Sequence, residues 1–388
     1  MTTSARAVPL DARALAPDVA RGAMLLLIAL ANVHLYLYGR PLGVRLYPAD
    51  LVGAERVVAA LQLMLVDGRA YPLFGVLFGY GIGQLAARRL GAGAAVPEVV
   101  ATVRRRGWWL VVIGAAHAAL LWSGDIVAAY GVLGAALAGV LVAGKAVTVA
   151  TTAVVGAVLG TSLGAFSGLP RPGTAALPSV AAADPLTAVG SRLAEWGQDV
   201  LISSMLSVVG AVALGAWAAR HRVLDDPARH RRLLTRVAVA GLVAAALGGL
   251  PMALAAAGVW APGMDVMLLV GMLHTLGGYA GGLGYAAVFG LLAAGVQAGA
   301  VLRALAACGQ RSLSCYLGQS VLFVALLPAW TAGLGARLSV SEAALLATAV
   351  WLALLLVSLV SARVGYRGPA EVLLRRLTYG PSDDRRRR

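Results

Sequence analysis

The residues best suited to chemistry lie in an apolar stretch, residues 108–130, that contains His117 and, eight positions later, Asp125. Lipid offers no water to an ionisable group, so such a residue is costly unless a partner or a cavity serves it. A neutral imidazole is a suitable proton acceptor near pH 7, and a carboxylate can orient it. On one continuous helix the two side chains would lie about 12 Å apart along the axis and about 80° apart around it. We therefore expect no direct hydrogen bond between them, and we expect Arg69 to be the counter-ion of Asp125.

Two other histidines fall at membrane depth. His34 follows Asn32 near the end of the first apolar run and is the second choice for a base, whereas His274 lies in a glycine-rich run and is expected to pack. The competing interpretation of His117 is a single hydrogen bond to a neighbouring helix, with no chemistry. The sequence leaves both interpretations of His117 equally open, because polar residues in membrane helices serve both purposes.

Composition predicts the framework that holds these residues. The chain has 388 residues, of which 60% are hydrophobic and 13% are charged, and several apolar runs exceed the ~18 residues that mark a membrane helix. We predict an all-α, polytopic integral membrane helix bundle with about ten transmembrane helices, forming a single transmembrane domain over residues 1–388. The span at 264–295 is long enough to be tilted or broken. The predicted spans are 20–38, 69–87, 108–123, 127–143, 146–168, 201–219, 237–257, 264–295, 313–333 and 343–362.

Basic residues set the predicted orientation. Alternating the spans from an inner N-terminus places about 25 of the 32 lysines and arginines on the inner side, which predicts that both termini are cytoplasmic. This asymmetry accounts for the net charge of +15 without a nucleic-acid partner, and it predicts contacts with the lipid bilayer and with anionic lipids at the cytoplasmic face. The segments outside the bilayer are predicted as an outer segment with an interfacial helix at 39–68, an outer loop at 169–200, a basic cytoplasmic loop at 220–236 and a basic cytoplasmic tail at 363–388.

The basic loop at 220–236 has two interpretations: an anchor against anionic lipid, which is the simpler one, or a dock for a phosphate-rich donor. Elsewhere the sequence has no nucleophile elbow, no phosphate loop, no zinc-protease motif and no spacing that suits a metal site. Cys308 and Cys315 would lie about 10 Å apart along one helix, which is too far for a disulfide, so we expect both to be packing residues.

Several short motifs together carry a family resemblance. They are Arg21-Gly22 with the apolar run to Asn32, then Leu73-Phe74 and Leu77-Phe78-Gly79, then His117, Trp122, Gly124-Asp125-Ile126 and Tyr130-Gly131, and finally Gly309-x-x-x-Leu313-Ser314-x-Tyr316-Leu317-x-Gln319 and Gly368-Pro369-x-Glu371. In this combination the chain resembles the YeiB-like family of bacterial membrane proteins, domain of unknown function 418, over nearly its whole length. It departs from the family pattern at Cys315, where Asn is usual, and at Val372 and Leu374, where bulky aromatic residues are usual. The first two spans are also distantly similar to those of transmembrane acyltransferases.

The resemblance and the residues together predict a transmembrane acyltransferase in the bacterial plasma membrane. It would move an acyl group from cytoplasmic acyl-CoA to a sugar or lipid-linked acceptor outside, with no covalently bound cofactor and no metal. The expected catalytic residues are His117, Asp125 and, with less support, His34, as base or transient acyl carrier. The expected substrate-binding residues are Arg21, Asn32, Arg69, Tyr130, Arg311, Gln319 and Glu371. Two alternatives remain: a transporter or channel for a small anionic or lipidic metabolite, and a non-catalytic membrane scaffold.

Overall fold

The fold is all-helical, as predicted. The computed structural model describes residues 15–294 and 299–380, and no strand is formed within those ranges. The last eight residues of the predicted cytoplasmic tail, 381–388, lie outside the described residues. The helices are α1 (Leu15–Val33), α2 (Ala54–Leu65), α3 (Ala70–Gly91), α4 (Val96–Leu120), α5 (Val127–Ala136), α6 (Ala138–Ala143), α7 (Ala146–Gly164), α8 (Pro185–Glu195), α9 (Leu201–Arg220), α10 (Arg231–Ala256), α11 (Met264–Ala294), α12 (Ala300–Gly309), α13 (Ser312–Leu326), α14 (Val340–Arg363) and α15 (Pro369–Tyr379).

The helix lengths and hydropathies are those of a membrane protein. Within the described residues, seven helical segments are long and apolar enough to cross a bilayer. The three other predicted spans coincide with α4, which carries arginines in its first half, with the short pair α5 and α6, and with the 15-residue α13. Ten spans and their orientation remain a prediction. The seven segments are Leu15–Tyr36, Ala54–Gly91, Ala146–Gly168, Leu201–Arg220, Arg231–Ala256, Met264–Ala294 and Val340–Arg363.

The glycine-rich helix α11 is continuous. Its 31 residues give a length of about 46 Å, which exceeds the ~30 Å hydrocarbon core and therefore favours a tilted helix. The helix packs closely against α10: a Cβ at Gly241 would overlap the carbonyl oxygen of Ala280, and a Cβ at Gly248 would overlap that of Leu273. The glycines therefore permit close approach of two backbones, which is the packing role expected of small residues in membrane helices.

The cysteine pair lies closer together than the sequence predicted. The helix breaks at Gln310–Arg311, between α12 and α13, so Cys308 and Cys315 do not share one straight axis. Their sulfur atoms lie 3.8 Å apart, both thiols are free and both are buried. The expected separation of about 10 Å was wrong because it assumed an unbroken helix.

We call one end of the bundle the outer end, because the predicted topology places it outside. Two segments lie at this end. The first contains α2, in which Leu63 is buried and Val57 and Leu61 are exposed. The interfacial helix expected within 39–68 remains a prediction, with which this exposed apolar face agrees. The second is 169–200, which contains α8 and packs on the end of α4 through Arg192, whose Nε donates to the carbonyl oxygen of Ala119 at 2.8 Å. The segment 169–200 is therefore fixed to the end of α4 by this hydrogen bond.

Candidate functional site

The end of α4 determines the geometry around His117. This helix ends at Leu120, and the backbone N–H groups of Leu121 and Trp122 both donate to the carbonyl oxygen of His117, at 2.8 and 2.9 Å. The chain then turns back over residues 121–126 and enters α5. This reversal carries Asp125 back beside the imidazole, so that Oδ1 lies 2.8 Å from Nδ1 of His117. The prediction that the two residues cannot hydrogen-bond was wrong, because it placed both on one continuous helix.

The Asp125 carboxylate is held on both oxygens. Its second oxygen, Oδ2, accepts the backbone N–H of Ala128 at 2.7 Å, in the first turn of α5, where the helix dipole favours negative charge. The side chain is completely buried. This position requires the close approach of α4 and α5, since a Cβ at Gly114 would collide with both Asp125 and Ala128. Asp125 is thus a fixed acceptor on the Nδ1 side of the imidazole.

The other ring nitrogen of His117 faces a serine. Ser320, on α13, places its Oγ 2.8 Å from Nε2, and both side chains are buried. A carboxylate only accepts, so the proton of a neutral imidazole lies on Nδ1 and leaves Nε2 free to accept from the serine hydroxyl. Serine, histidine and aspartate thus form one hydrogen-bonded chain, which we call the relay: Ser320, His117 and Asp125. This arrangement is the one used for activating a hydroxyl as a nucleophile.

Aromatic side chains surround the relay. The ring of Tyr316 lies 5.0 Å from that of His117, and Trp122 stacks on Tyr36 with ring centroids 4.2 Å apart. Phe323, one turn beyond Ser320 on α13, packs edge-on against Tyr36. The relay is therefore enclosed by apolar surface, which excludes water and strengthens electrostatic interactions inside.

Three of the predicted substrate-binding residues extend this polar region. Tyr71 donates through its hydroxyl to Oδ1 of Asn32 at 3.2 Å, and Tyr130 donates to the carbonyl oxygen of Tyr71 at 3.0 Å. Gln319 donates to the carbonyl oxygen of Leu25 at 2.9 Å and so fixes α13 to α1. Asn32, Tyr130 and Gln319 therefore join helices around the relay, and each already makes one side-chain hydrogen bond within the protein.

Arg69 does not pair with Asp125. Its guanidinium donates to the carbonyl oxygens of Asp67 and Ala245, at 2.5 and 2.6 Å, and lies 3.2 Å from the ring of His274. A Cβ at Gly249 or Gly281 would strike this side chain, so glycines of α10 and α11 form its socket. The predicted counter-ion pair was wrong because α3 begins against α10 and α11 rather than against the turn that carries Asp125.

A second polar cluster therefore lies at the outer end, apart from the relay. Arg45 donates to both oxygens of Asp67, at 2.8 and 2.6 Å. Burial lowers the pKa of Arg45, but the charge of Asp67 and these hydrogen bonds raise it by more, so Arg45 remains a permanent cation. His34 belongs to this cluster: it stacks on Tyr47 with centroids 4.0 Å apart, and its Nε2 lies 3.3 Å from the carbonyl oxygen of Arg45. His34 and His117 thus have different hydrogen-bond partners in the structure.

The remaining candidates, at the opposite end of the bundle, make internal contacts. Arg21 forms an ion pair with Asp18 at 2.9 Å. Arg311 donates to the carbonyl oxygens of Ala307, at 2.8 Å, and of Tyr366. The carboxylate of Glu371 accepts from both the backbone and the side chain of Ser314, and its Oε1 accepts the N–H of Leu313 at 2.8 Å, so that α15 caps the start of α13. Arg311 and Glu371 therefore hold α12, α13 and α15 together.

Sequence reasoning missed Ser320 altogether. A serine in an apolar helix is common, and 203 positions separate it from His117, so no spacing pattern connects the two. The available signal was its place directly after Gln319, at the end of the C-terminal motif block that begins at Gly309.

Comparison with known proteins bears on this C-terminal part. Residues 218–381 match a family described as a protein of unknown function (DUF418). The matched segment contains Ser320, whereas His117 and Asp125 precede it. No curated protein matches the chain.

Proposed function

We propose a function from the geometry of the site, because residues 218–381 match the DUF418 family, as the YeiB-like motifs predicted, and the function of that family is unknown. The protein is a membrane-embedded acyltransferase that moves an acyl group from a donor of the acyl-CoA type to a hydroxyl of a sugar or lipid-linked acceptor. One observation carries the proposal: the buried His117 has a carboxylate on Nδ1 and a hydroxyl on Nε2.

Acyl transfer to a hydroxyl requires removal of the hydroxyl proton as the new ester bond forms. His117 is placed to take that proton at Nε2, while Asp125 orients the ring and stabilises the imidazolium that results. General-base catalysis of this kind contributes about 10²- to 10⁴-fold. Burial of the relay favours transfer over hydrolysis, because it excludes water from the acyl group.

The donor is proposed to lie along α4. Arg106 lies eleven residues before His117, which is about 16 Å along the helix and about 20° around it, so both are on one face. Arg104 and Arg105 directly precede Arg106 in the same helix, and both are exposed. An acyl-CoA carries its phosphates and its thioester at opposite ends of a long flexible arm, which suits this separation. The phosphate contacts are therefore proposed at Arg104 and Arg105, because these two side chains are exposed, whereas Arg311 is enclosed and donates to backbone carbonyls.

The acceptor is proposed to enter at the outer end, beneath the segment 169–200. Glu195 closes this segment: its carboxylate accepts from the hydroxyl of Ser123, in the turn that carries Asp125, and from both the N–H and the hydroxyl of Ser179. Opening of this contact would expose the turn at 121–126. A cover that rests on the site is typical of enzymes that must admit an acceptor and exclude water.

The transporter alternative rested on a span broken by glycines and on the intramembrane histidine, aspartate and arginine residues. Helix α11 is continuous, and its glycines are occupied by packing against α10 and by the Arg69 side chain. The charged cluster beside it is held by internal hydrogen bonds of Arg69 and Arg45. These observations give transport less support than acyl transfer.

The test is a transfer assay in host membranes into which the purified protein has been reconstituted. Acetyl-CoA with a radiolabelled acetyl group is added to these membranes. Label in the lipid and glycan fractions is then measured together with release of free thiol. We expect His117→Ala to reduce transfer about 10²- to 10⁴-fold. His274→Ala is the control, because this histidine is equally buried but lies outside the relay. Full activity of a correctly folded His117→Ala protein would refute the proposal.

A further inference from the structure

We propose that Ser320 is the nucleophile that carries the acyl group, as a covalent ester, between donor and acceptor. The inference rests on the proposed acyl transfer and adds a residue and an intermediate to it. It begins from the distance of 2.8 Å between Ser320 Oγ and His117 Nε2, on the opposite side of the ring from Asp125.

The Ser320 hydroxyl is not committed to its own helix. Hydroxyl groups in membrane helices usually donate to the carbonyl oxygen one turn earlier. Ser320 departs from this habit, since its Oγ is 3.5 Å from the carbonyl oxygen of Tyr316. Several other helical hydroxyls donate to the carbonyl oxygen one turn earlier at 2.7 to 2.9 Å, among them Thr152, Ser207, Thr235, Thr348, Ser361 and Thr378. The proton of Ser320 is therefore directed to His117.

Two unused donors lie beside the relay. Among the described residues, the indole N–H of Trp122 and the hydroxyl of Tyr316 are buried and donate to no acceptor. Trp122 lies in the same turn as Asp125, and Tyr316 lies one helical turn before Ser320. Attack on an acyl carbonyl creates a negatively charged oxygen, which needs such donors. The elements that form the relay thus carry a base, a hydroxyl and two buried donors without an acceptor, and we assign these two donors to the developing oxyanion.

The reaction balances without any further reagent. Ser320 Oγ attacks the thioester carbonyl carbon and its proton passes to His117 Nε2; the C–S bond breaks and the leaving thiolate takes that proton, which leaves an ester on Ser320. An acceptor hydroxyl then attacks the ester carbonyl and gives its proton to Nε2. The bond from carbon to Oγ breaks, and Oγ recovers the proton. Asp125 stays ionised throughout.

The experiment uses an alkyl fluorophosphonate on the full-length protein in lipid nanodiscs. Ser320 Oγ attacks phosphorus, fluoride leaves, and the proton passes to His117. We expect mass spectrometry to place the adduct on Ser320, Ser320→Ala to abolish it and His117→Ala to slow labelling at least ~100-fold. Ser358→Ala is the matched control, because Ser358 is also a buried helical serine but contacts Cys315 instead. Absence of an adduct on Ser320, or an adduct that forms equally fast in His117→Ala, would overturn the inference.

The transfer assay separates this inference from the proposed function. Transfer that persists in Ser320→Ala but disappears in His117→Ala would leave the acyltransferase standing and eliminate the covalent carrier. A His117-dependent adduct on Ser320 in a protein that transfers no acyl group would support the nucleophile and refute the proposed function. Ser320→Cys guards against misfolding of the alanine variant: we expect it to form a thioester, detectable as a hydroxylamine-labile acyl group on that position.

Discussion

Replacement of Asp125 by asparagine tests the relay most directly, because it changes the hydrogen-bonding pattern and little else. The carboxylate accepts two hydrogen bonds, one at 2.8 Å from His117 Nδ1 and one at 2.7 Å from the N–H of Ala128. An amide has only one acceptor oxygen. Asp125→Asn therefore cannot satisfy both donors, whichever way the amide is turned.

The two orientations of the amide have different costs. If its oxygen keeps the Ala128 N–H, its NH₂ group faces Nδ1, so the ring proton moves to Nε2 and His117 can no longer accept from Ser320. Loss of the correct tautomer in a serine–histidine–aspartate arrangement costs about 10⁴-fold in rate, which is about 5 kcal/mol of activation free energy. If the oxygen faces Nδ1 instead, two donors meet at Ala128 in a buried place, which costs about 1–3 kcal/mol of folding stability.

The assays follow from these two costs. We expect Asp125→Asn to lose transfer and fluorophosphonate labelling of Ser320 by about three to four orders of magnitude, with at most a modest fall in the temperature of unfolding. Asp225→Asn is the control: that carboxylate accepts from Tyr80 and Gln84, at 2.8 and 2.6 Å, far along the chain from the relay. A folded Asp125→Asn protein that works within threefold of the wild type would refute the reasoning.

Three further predictions concern other parts of the structure. Arg69→Lys should lower the free energy of unfolding by about 2–3 kcal/mol, measured by thermal unfolding in detergent, because lysine cannot reach both carbonyl oxygens in the glycine socket; an unchanged unfolding temperature would contradict this role. Glu195→Gln should weaken the closure of 169–200 and speed fluorophosphonate labelling of Ser320 about tenfold, whereas equal rates would show that this segment does not control access. Diamide should link Cys308 to Cys315 within one chain, since their sulfurs lie 3.8 Å apart, and mass spectrometry that finds both thiols free after treatment would argue against that proximity.

The sequence was sufficient to predict the helical membrane architecture and to single out His117 and Asp125 as candidate site residues. Apolar runs of this length define membrane helices directly, and an ionisable residue stands out against such a background. Their mutual geometry was not predictable in the same way, because it depends on where α4 ends. A helix that stops at Leu120 and turns over six residues brings Asp125 beside His117, whereas a continuous helix keeps them apart.

Ser320 and Arg69 show why the rest of the site required the structure. Ser320 becomes a candidate site residue only because α13 packs its hydroxyl against His117, which lies 203 positions earlier in the chain. The Arg69 side chain fits between α10 and α11 because Gly249 and Gly281 leave room for it, and in the sequence these two glycines look like ordinary packing residues. In both cases the decisive information is which helices are neighbours, and hydropathy does not encode that.

The geometry also weighs against a purely adhesive role for His117. A histidine that only joins two helices needs one hydrogen bond to a neutral partner. His117 instead uses both nitrogens, and one partner is a carboxylate with no solvent exposure. Burial of such a charge is costly, and a well-packed apolar contact would hold the same helices at lower cost. The fold maintains this arrangement through Gly114, which lets α4 and α5 approach, and through the N–H of Ala128. A costly acid held at a fixed distance from a base and a hydroxyl is the arrangement that proton transfer requires, and that requirement explains it better than adhesion does.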